Sequence, residues 1–276
     1  MRILLYLATN LAVLLMAAVA MSVLTALGVI PPNAPYIQMF VWCAVFGFGG
    51  SFFSLAISKW MAKRSTGARV IESPSNETER WLLATVQRQA VQAGVGMPEV
   101  AVFESPSPNA FATGMSRNNA LVAVSTGLLN AMSRDQVEAV LGHEMTHISN
   151  GDMVTLSLIQ GVLNTFVLFI SRIIASQFDR GRFMIYLALQ MVFGILASMV
   201  VAWFSRRREF RADAGGARLE STPSMVSALN RLREFSGAPQ QLPENMAALG
   251  IHAGGVRRWF ATHPPLEERI ARLQNQ

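Results

Sequence analysis

The chain has 276 residues, 51% of them hydrophobic and only 14% charged, with a mean hydropathy of +0.34. Soluble domains carry about 25% charged residues, so the composition argues against a wholly water-soluble globule and for membrane segments beside a modest polar domain. The formal charge of +6 sits largely at the flanks of apolar stretches, with no basic run interleaved with aromatics; this favours lipid headgroups and speaks against nucleic acid as a partner.

From Ile3 to Ser58 there is no charged residue and no histidine, although roughly 20 apolar residues already span a bilayer. Pro31-Pro32-Asn33-Ala34-Pro35 interrupts the stretch, so it reads as two spans and a tight turn. A secretory signal cleaved after Ala18-Val19-Ala20 is the competing reading, but the apolar run exceeds the roughly 7–15 residues of a signal core. The lone Cys43 falls in the second span, which leaves no disulfide framework and no thiolate metal cluster. Met153–Ser171 and Phe183–Ser205 are again free of charge, and each has the length of one span. Four transmembrane helices in two hairpins result. Asn10, Gln160 and Asn164 lie inside them and read either as lining a cavity or, more commonly for such residues, as bonding between helices. Positive charge gathers at Arg2, at Lys59, Lys63, Arg64 and Arg69, and at Arg206–Arg208. The positive-inside rule therefore places both termini and the polar segments in the cytoplasm; Arg172, Arg180 and Arg182, set against Asp179, dissent.

The expected organisation is a hairpin over 1–58, a first polar part over 59–152, a second hairpin over 153–205 and a second polar part over 206–276. The two polar parts together suffice for one compact α+β domain. Thr78–Ala93 has helical periodicity through Trp81, Leu82, Val86 and Val91 and stops near Gly94. Val100–Phe103 and Leu121–Val124 are short β-prone runs, and Ala110–Thr113 between them offers a third strand; a small antiparallel sheet is predicted. Ser133 and Gln136 have the spacing of a capping box. The helix they open carries Val137, Val140, Leu141, Glu144 and Ile148 on one face, and Asn150-Gly151 stops it. Asp152 can then cap the third span.

On that helix stands His143-Glu144-Met145-Thr146-His147, the pattern H-E-x-x-H. Positions i and i+4 are neighbours on a helix, roughly 5–6 Å apart at Cβ, so two imidazoles there can converge on one Zn²⁺. Glu144 projects to one side, where it can take a proton from the attacking water and pass it to the leaving amine. A catalytic zinc needs a third protein ligand and an open position. Cys43 lies in the membrane, and His252 and His263 are far along the chain. Glu209 is the better candidate: the chain enters the bilayer near Asp152 and returns near Arg206, and packed antiparallel helices lie about 8–10 Å apart, so His147 and Glu209 come to the same level on the same side. Asp213, one helical turn on, either orients a ligand histidine or is a solvated carboxylate.

In these residues the chain resembles the HtpX family of bacterial membrane metallopeptidases, which are related to the CAAX prenyl proteases. The likeness covers the leading hairpin, Asn109-Ala110-Phe111-Ala112-Thr113-Gly114, His143–His147, Arg207-Arg208-Glu209-Phe210-Arg211-Ala212-Asp213, and Thr262-His263-Pro264-Pro265. The resemblance implies a gluzincin-type fold and one zinc ion per chain, held by His143, His147 and Glu209. It further implies Glu144 as catalytic base and a role in protein quality control at the bacterial inner membrane. The expected substrates are misfolded or damaged membrane proteins. Beside it, Asn109, Ala110, Phe111 and Ala112 read either as an edge strand to which an extended peptide adds or as an ordinary hairpin strand. His263 either stabilises the tetrahedral oxyanion or serves the helix that follows Pro264-Pro265 as cap or core residue. His252 reads as a loop residue, and 237–255 as a lid. Two other functions fit the same residues less closely, an intramembrane-cleaving zinc peptidase and a non-enzymatic membrane chaperone.

Overall fold

The computed structural model describes residues 35–235 and 261–275, together with Val23 and residues 26–28. Apart from those few positions the first predicted span lies outside the described residues, as do Asn10, His252 and the stretch 237–255. In chain order the described elements are α1 (Pro35–Thr66), β1 (Arg69–Val70), α2 (Glu77–Ala93), β2 (Glu99–Phe103), β3 (Ala110–Ser116), β4 (Asn119–Ser125), α3 (Thr126–Ala131), α4 (Arg134–Asn150), α5 (Asp152–Ala175), α6 (Arg182–Leu219), α7 (Thr222–Glu234) and α8 (Leu266–Gln274). They fall into two units, Met1–Ser54 with Leu156–Val201, and Leu55–Thr155 with Ala202–Gln276.

The first unit is apolar on its outside. Three described helices, α1, α5 and α6, are long and apolar enough to cross a membrane, and only 6% of the apolar stretch of α6 is buried. Phe40, Phe52, Leu158, Phe166, Met191 and Ile195 all face outward. A water-soluble fold buries such residues; a helix that is hydrophobic all round and uncovered is one that lipid surrounds. Between α1 and α5 the contact is made by small residues: a Cβ at Gly47 would lie 2.8 Å from the Gly161 carbonyl oxygen and against Thr165, and the Phe48 ring lies over Gly161. Close backbone approach of this kind is how helices associate where no water drives them together. The polar groups in these spans only partly match the interhelical expectation. Gln160 donates to Asn164 along α5 itself, 2.9 Å, whereas Gln190 of α6 reaches the Val167 carbonyl of α5, 3.3 Å.

In the second unit a four-stranded sheet of order β1-β2-β4-β3 has one face under helices α2, α4, α7 and α8. Val100, Val122, Val124, Ala110 and Ala112 meet Leu82, Val86, Leu141, Met145, Leu229 and Ile270 there. On the other face Ala101, Phe103, Phe111, Leu121 and Ala123 pack around Ala62 of α1. Both faces are covered, which is why Val100–Phe103 and Leu121–Val124 read as unbroken apolar runs rather than as alternating ones.

The sheet is mixed, not antiparallel as expected from the order of its strands. β2 pairs with β4 in parallel, from Glu99 opposite Leu121 to Phe103 opposite Ser125, while β3 and β4 are antiparallel. The connection 104–109 is the cause. It is held against the start of α3 and the end of β4 by Gly127 N–H to Ser105 O, Ser125 N–H to Asn109 O and Ser125 Oγ–H to Ser107 O, at 2.8–2.9 Å. Held there, the chain cannot double back as a hairpin on β2. It passes the β4 position, runs down the sheet edge as β3, and returns between β3 and β2 through the tight turn at Arg117-Asn118.

The helix bearing the histidines is closed at both ends by its own sequence. Ser133 accepts from the Gln136 backbone and the Gln136 side chain accepts from the Ser133 N–H, a complete capping box. Gly151, at φ +68°, ends the helix in the left-handed region and returns its N–H to the His147 and Ile148 carbonyls.

Candidate metal centre

His143 and His147 stand one turn apart on α4, and Glu209 and Asp213 one turn apart on α6. The two helices come together through glycine. A Cβ at Gly216 would lie 2.9 Å from the His143 backbone nitrogen, one at Gly142 3.3 Å from Gly216, and one at Gly215 would strike Thr146. With no side chain between them, the backbones approach closely enough for a short carboxylate on α6 to reach imidazoles on α4.

The three side chains converge. His143 Nε2 lies 3.1 Å from His147 Nε2 and 3.4 Å from Glu209 Oε2, and His147 Nε2 lies 3.3 Å from Glu209 Oε1. Ligands about 2.0–2.1 Å from a tetrahedral Zn²⁺ are separated by about 3.3–3.4 Å, so the triangle has the size of one face of such a site. All three residues are buried.

Proton placement makes the same point. His147 Nδ1 lies 2.7 Å from Asp152 Oδ2, and His143 Nδ1 lies 2.9 Å from Asp213 Oδ1. Arg269 Nη2 is also within 3.4 Å of His143 Nδ1, but a guanidinium can only donate, and the carboxylate is nearer. Each imidazole therefore gives its Nδ1 proton to a carboxylate and turns an Nε2 lone pair toward Glu209. Lone pairs and a carboxylate facing one another at these distances repel unless a proton or a metal cation stands among them. The charge balance agrees. Glu144, Asp152, Glu209 and Asp213 are at most 4% exposed, and Arg269, 1% exposed, is the one buried arginine or lysine among the described residues. Burial opposes charging of His143, yet hydrogen bonds to Asp213 and Glu209 outweigh it and lift its pKa to about 9; His147 is raised in the same way against burial by Glu209 and Asp152. Burial would raise the Glu209 carboxyl, but His263 and the two ligand histidines hold it well below the usual range. A pocket that draws protons onto neutral imidazoles suits a divalent cation in their place.

Glu144 is 4% exposed and accepts no hydrogen bond from the described residues, leaving its carboxylate free for a proton. Asp213 is buried beside His143 rather than solvated, and its partner is a residue that sequence spacing did not suggest: Arg269 of α8 clasps it with Nε to Oδ2 at 2.8 Å and Nη2 to Oδ1 at 2.5 Å. Although burial opposes its ionisation, Arg269 and His143 hold the Asp213 carboxyl down at about 2. His263 places Nδ1 2.8 Å from Glu209 Oε2, and its Nε2 is buried without a hydrogen-bond partner among the described residues. It makes no capping bond to α8. Asp152, expected only as a cap for α5, is the His147 partner; its position five residues beyond the motif was the available signal. Asn109, Ala110, Phe111 and Ala112 are buried at the start of β3, an edge strand of the sheet. Replacing Asp152 by Asn removes the acceptor that fixes His147, and metal affinity should fall about 10–100-fold with little change in fold; equal affinity in a competition titration against a chelator would remove Asp152 from the site.

Comparison with known proteins fits this geometry. The sequence pattern of peptidase family M48 matches residues 76–276. The chain is 53% identical to Protease HtpX of Thioalkalivibrio sulfidiphilus (strain HL-EbGR7), over 99% of this chain and 98% of that one. It is 56% identical to Protease HtpX of Stenotrophomonas maltophilia (strain K279a), over 99% and 97%. The chain belongs to peptidase family M48 and, within it, to the HtpX proteases. This M48 member is therefore a metallopeptidase, a hydrolase of peptide bonds, built with membrane-crossing helices. Its fold is also that of the crystal structure of S. mikatae Ste24p, with a TM-score of 0.67 at 17% identity, over 99% of this chain and 64% of that one; this chain thus spans just under two thirds of the length of Ste24p.

Proposed function

We propose that the chain is a zinc endopeptidase of the bacterial inner membrane that cleaves misfolded or damaged membrane proteins at the cytoplasmic face, as part of stress response and protein quality control. The observation that carries this reading is the triangle of His143, His147 and Glu209, with Glu144 beside His143 on the same helix and accepting no hydrogen bond from the described residues. Those three residues would hold the metal. Zinc bound there would act as a Lewis acid and lower the pKa of water toward neutrality. Asp213 and Asp152 keep the Nδ1 protons of His143 and His147 in place, so that both rings present the correct nitrogen. Glu144 accepts a proton from the attacking water and delivers it to the leaving amine. His263, whose Nδ1–H is taken by Glu209, turns Nε2 toward no described partner; as the imidazolium it can donate from that nitrogen to a developing oxyanion.

Substrate is held by backbone. The side chains of Ala110, Phe111 and Ala112 are occupied in the two cores, so β3, the outer strand of the sheet, has only its main chain to offer a peptide, a sequence-tolerant mode that suits diverse damaged proteins. The cytoplasmic assignment of site and termini, with 59–152 and 206–276 as the peptidase domain and 1–58 and 153–205 as hairpins, rests on Lys59, Lys63, Arg64, Arg69 and Arg206–Arg208 at the span ends. In proteoliposomes, cleavage sites in a multi-span substrate should map to its cytoplasmic loops. Cleavage within spans would favour the intramembrane reading instead.

A further inference from the structure

One exposed feature of the second unit is not used by the chemistry above. The turn between β3 and β4, Met115 to Asn119, is exposed throughout, and Met115 is 50% exposed. Its outward position is built in. Gly114 pairs with Ala120 and Ser116 with Asn119, so Met115 is an extra residue with no partner in β4, a bulge of the kind that re-aims a side chain. The bulge requires glycine: Gly114 sits at φ +149°, and a Cβ there would strike the Asn119 carbonyl.

The turn lies beside the two places where an apolar helix meets its first polar residues, bonded to one and near the other. Lys59 ends the charge-free part of α1, and its Nζ donates to Asn119 Oδ1 at 2.7 Å. Asp152 opens α5, and the Arg117 Nε lies 3.9 Å from where a Cβ on the preceding Gly151 would stand. A membrane surface passes where charge-free spans end, and the turn stands at both ends. Its charge suits that surface. Lys59 and Lys63 are matched by Glu99, at 2.9 and 3.0 Å, and Asp152 is buried against His147. Arg117 makes no ion pair among the described residues. Trp60, beside Lys59, is half exposed, as aromatic residues in the headgroup layer are.

We propose that the β3–β4 turn docks into the anionic headgroup layer, with Met115 at the acyl boundary and Arg117 on lipid phosphates. The outer edge of β3 then starts at the lipid surface. Resting on the edge-strand reading above, this makes the preferred substrate a segment directly adjoining a membrane anchor: β3 has 7 residues, about 23 Å of extended chain, which lead from the headgroups to the Asn109 end.

The test uses the full chain in vesicles of phosphatidylcholine with and without phosphatidylglycerol. A fluorophore is placed at Met115→Cys in a Cys43→Ser background, with Met191→Cys, on the exposed face of the α6 span, as reference. Position 115 should be quenched by a nitroxide carried near the lipid headgroup and shielded from aqueous iodide, more so with phosphatidylglycerol. Open access of iodide to position 115 while position 191 is quenched by lipid overturns the docking and leaves the membrane reading standing; loss of lipid quenching at both overturns both. Independently, Arg117→Glu should slow cleavage of a membrane-anchored substrate at least about fivefold, the worth of one basic residue at an anionic surface, and leave cleavage of a soluble peptide unchanged. Equal effects on the two substrates overturn the proposal. If the native chain cleaves neither, the peptidase reading fails, while the quenching result still decides the docking.

Discussion

Glu144→Gln should leave a folded protein that binds metal as the native chain does, with kcat for peptide hydrolysis lowered by about 10²–10⁴-fold. The carboxylate touches none of the hydrogen bonds that hold α4 in place, and it is not one of the three converging ligands. The amide has almost the same shape, so packing around this 4% exposed residue is preserved. What the change removes is the capacity to take up and release a proton, and a positioned general base contributes typically 10²–10⁴-fold. Self-cleavage in detergent, or hydrolysis of an unstructured protein, measures the loss. Residual activity within tenfold of native would exclude Glu144 as the base.

The second large effect falls on stability. Arg269→Met removes the one buried arginine or lysine among the described residues from beside Asp213 and Glu209 and leaves Asp213 ionised and nearly dry. Breaking a buried pair by removing one partner costs about 3–5 kcal/mol, which in a domain of this size lowers the unfolding midpoint by roughly 10 °C. The sign with pH follows from the Asp213 carboxyl, held at about 2. A depressed carboxylate pKa contributes stability above its unfolded value of about 3.9, and that contribution is lost as pH falls through 2. The penalty of Arg269→Met should therefore be full at neutral pH. Changing both residues, Arg269→Met with Asp213→Leu, should recover part of the loss, because no unpaired charge then stays buried. A thermal scan in detergent that finds the single variant within 2 °C of native would show that the pair contributes little.

How much of this was legible beforehand depended on how local the cause was. The α4 helix could be read almost to the residue, because Ser133, Gln136 and Gly151 act within one turn of where they stand. Glu209 was reachable too, since the charge-free stretches around it imply a hairpin, and a hairpin returns the chain to where it left. Asp213 could be placed one turn beyond Glu209 but not given a partner: Arg269 lies 56 residues away on a helix whose docking no spacing rule foretells. Asp152 was seen and undervalued, because a residue that can cap a helix gives no outward sign that it faces a histidine instead. The parallel pairing of β2 with β4 was missed for a further reason. Strand propensity marks the runs but not their order, and the order here is set by hydrogen bonds between the 104–109 connection and the end of β4 and start of α3. The glycines Gly142, Gly215 and Gly216 carried no signal in sequence at all, yet their bare backbones let α6 come within reach of the histidines.

The most direct test of the metal centre is the zinc content of purified protein, measured by elemental mass spectrometry on the native chain, Glu144→Gln and Glu209→Gln after equilibration with limiting zinc and removal of the free ion. About one zinc per chain is expected in the native protein and in Glu144→Gln, and a large fall in Glu209→Gln, whose amide brings no negative charge to the triangle. Native-like zinc in Glu209→Gln, or none in the native chain, would contradict the assignment of His143, His147 and Glu209 as its ligands.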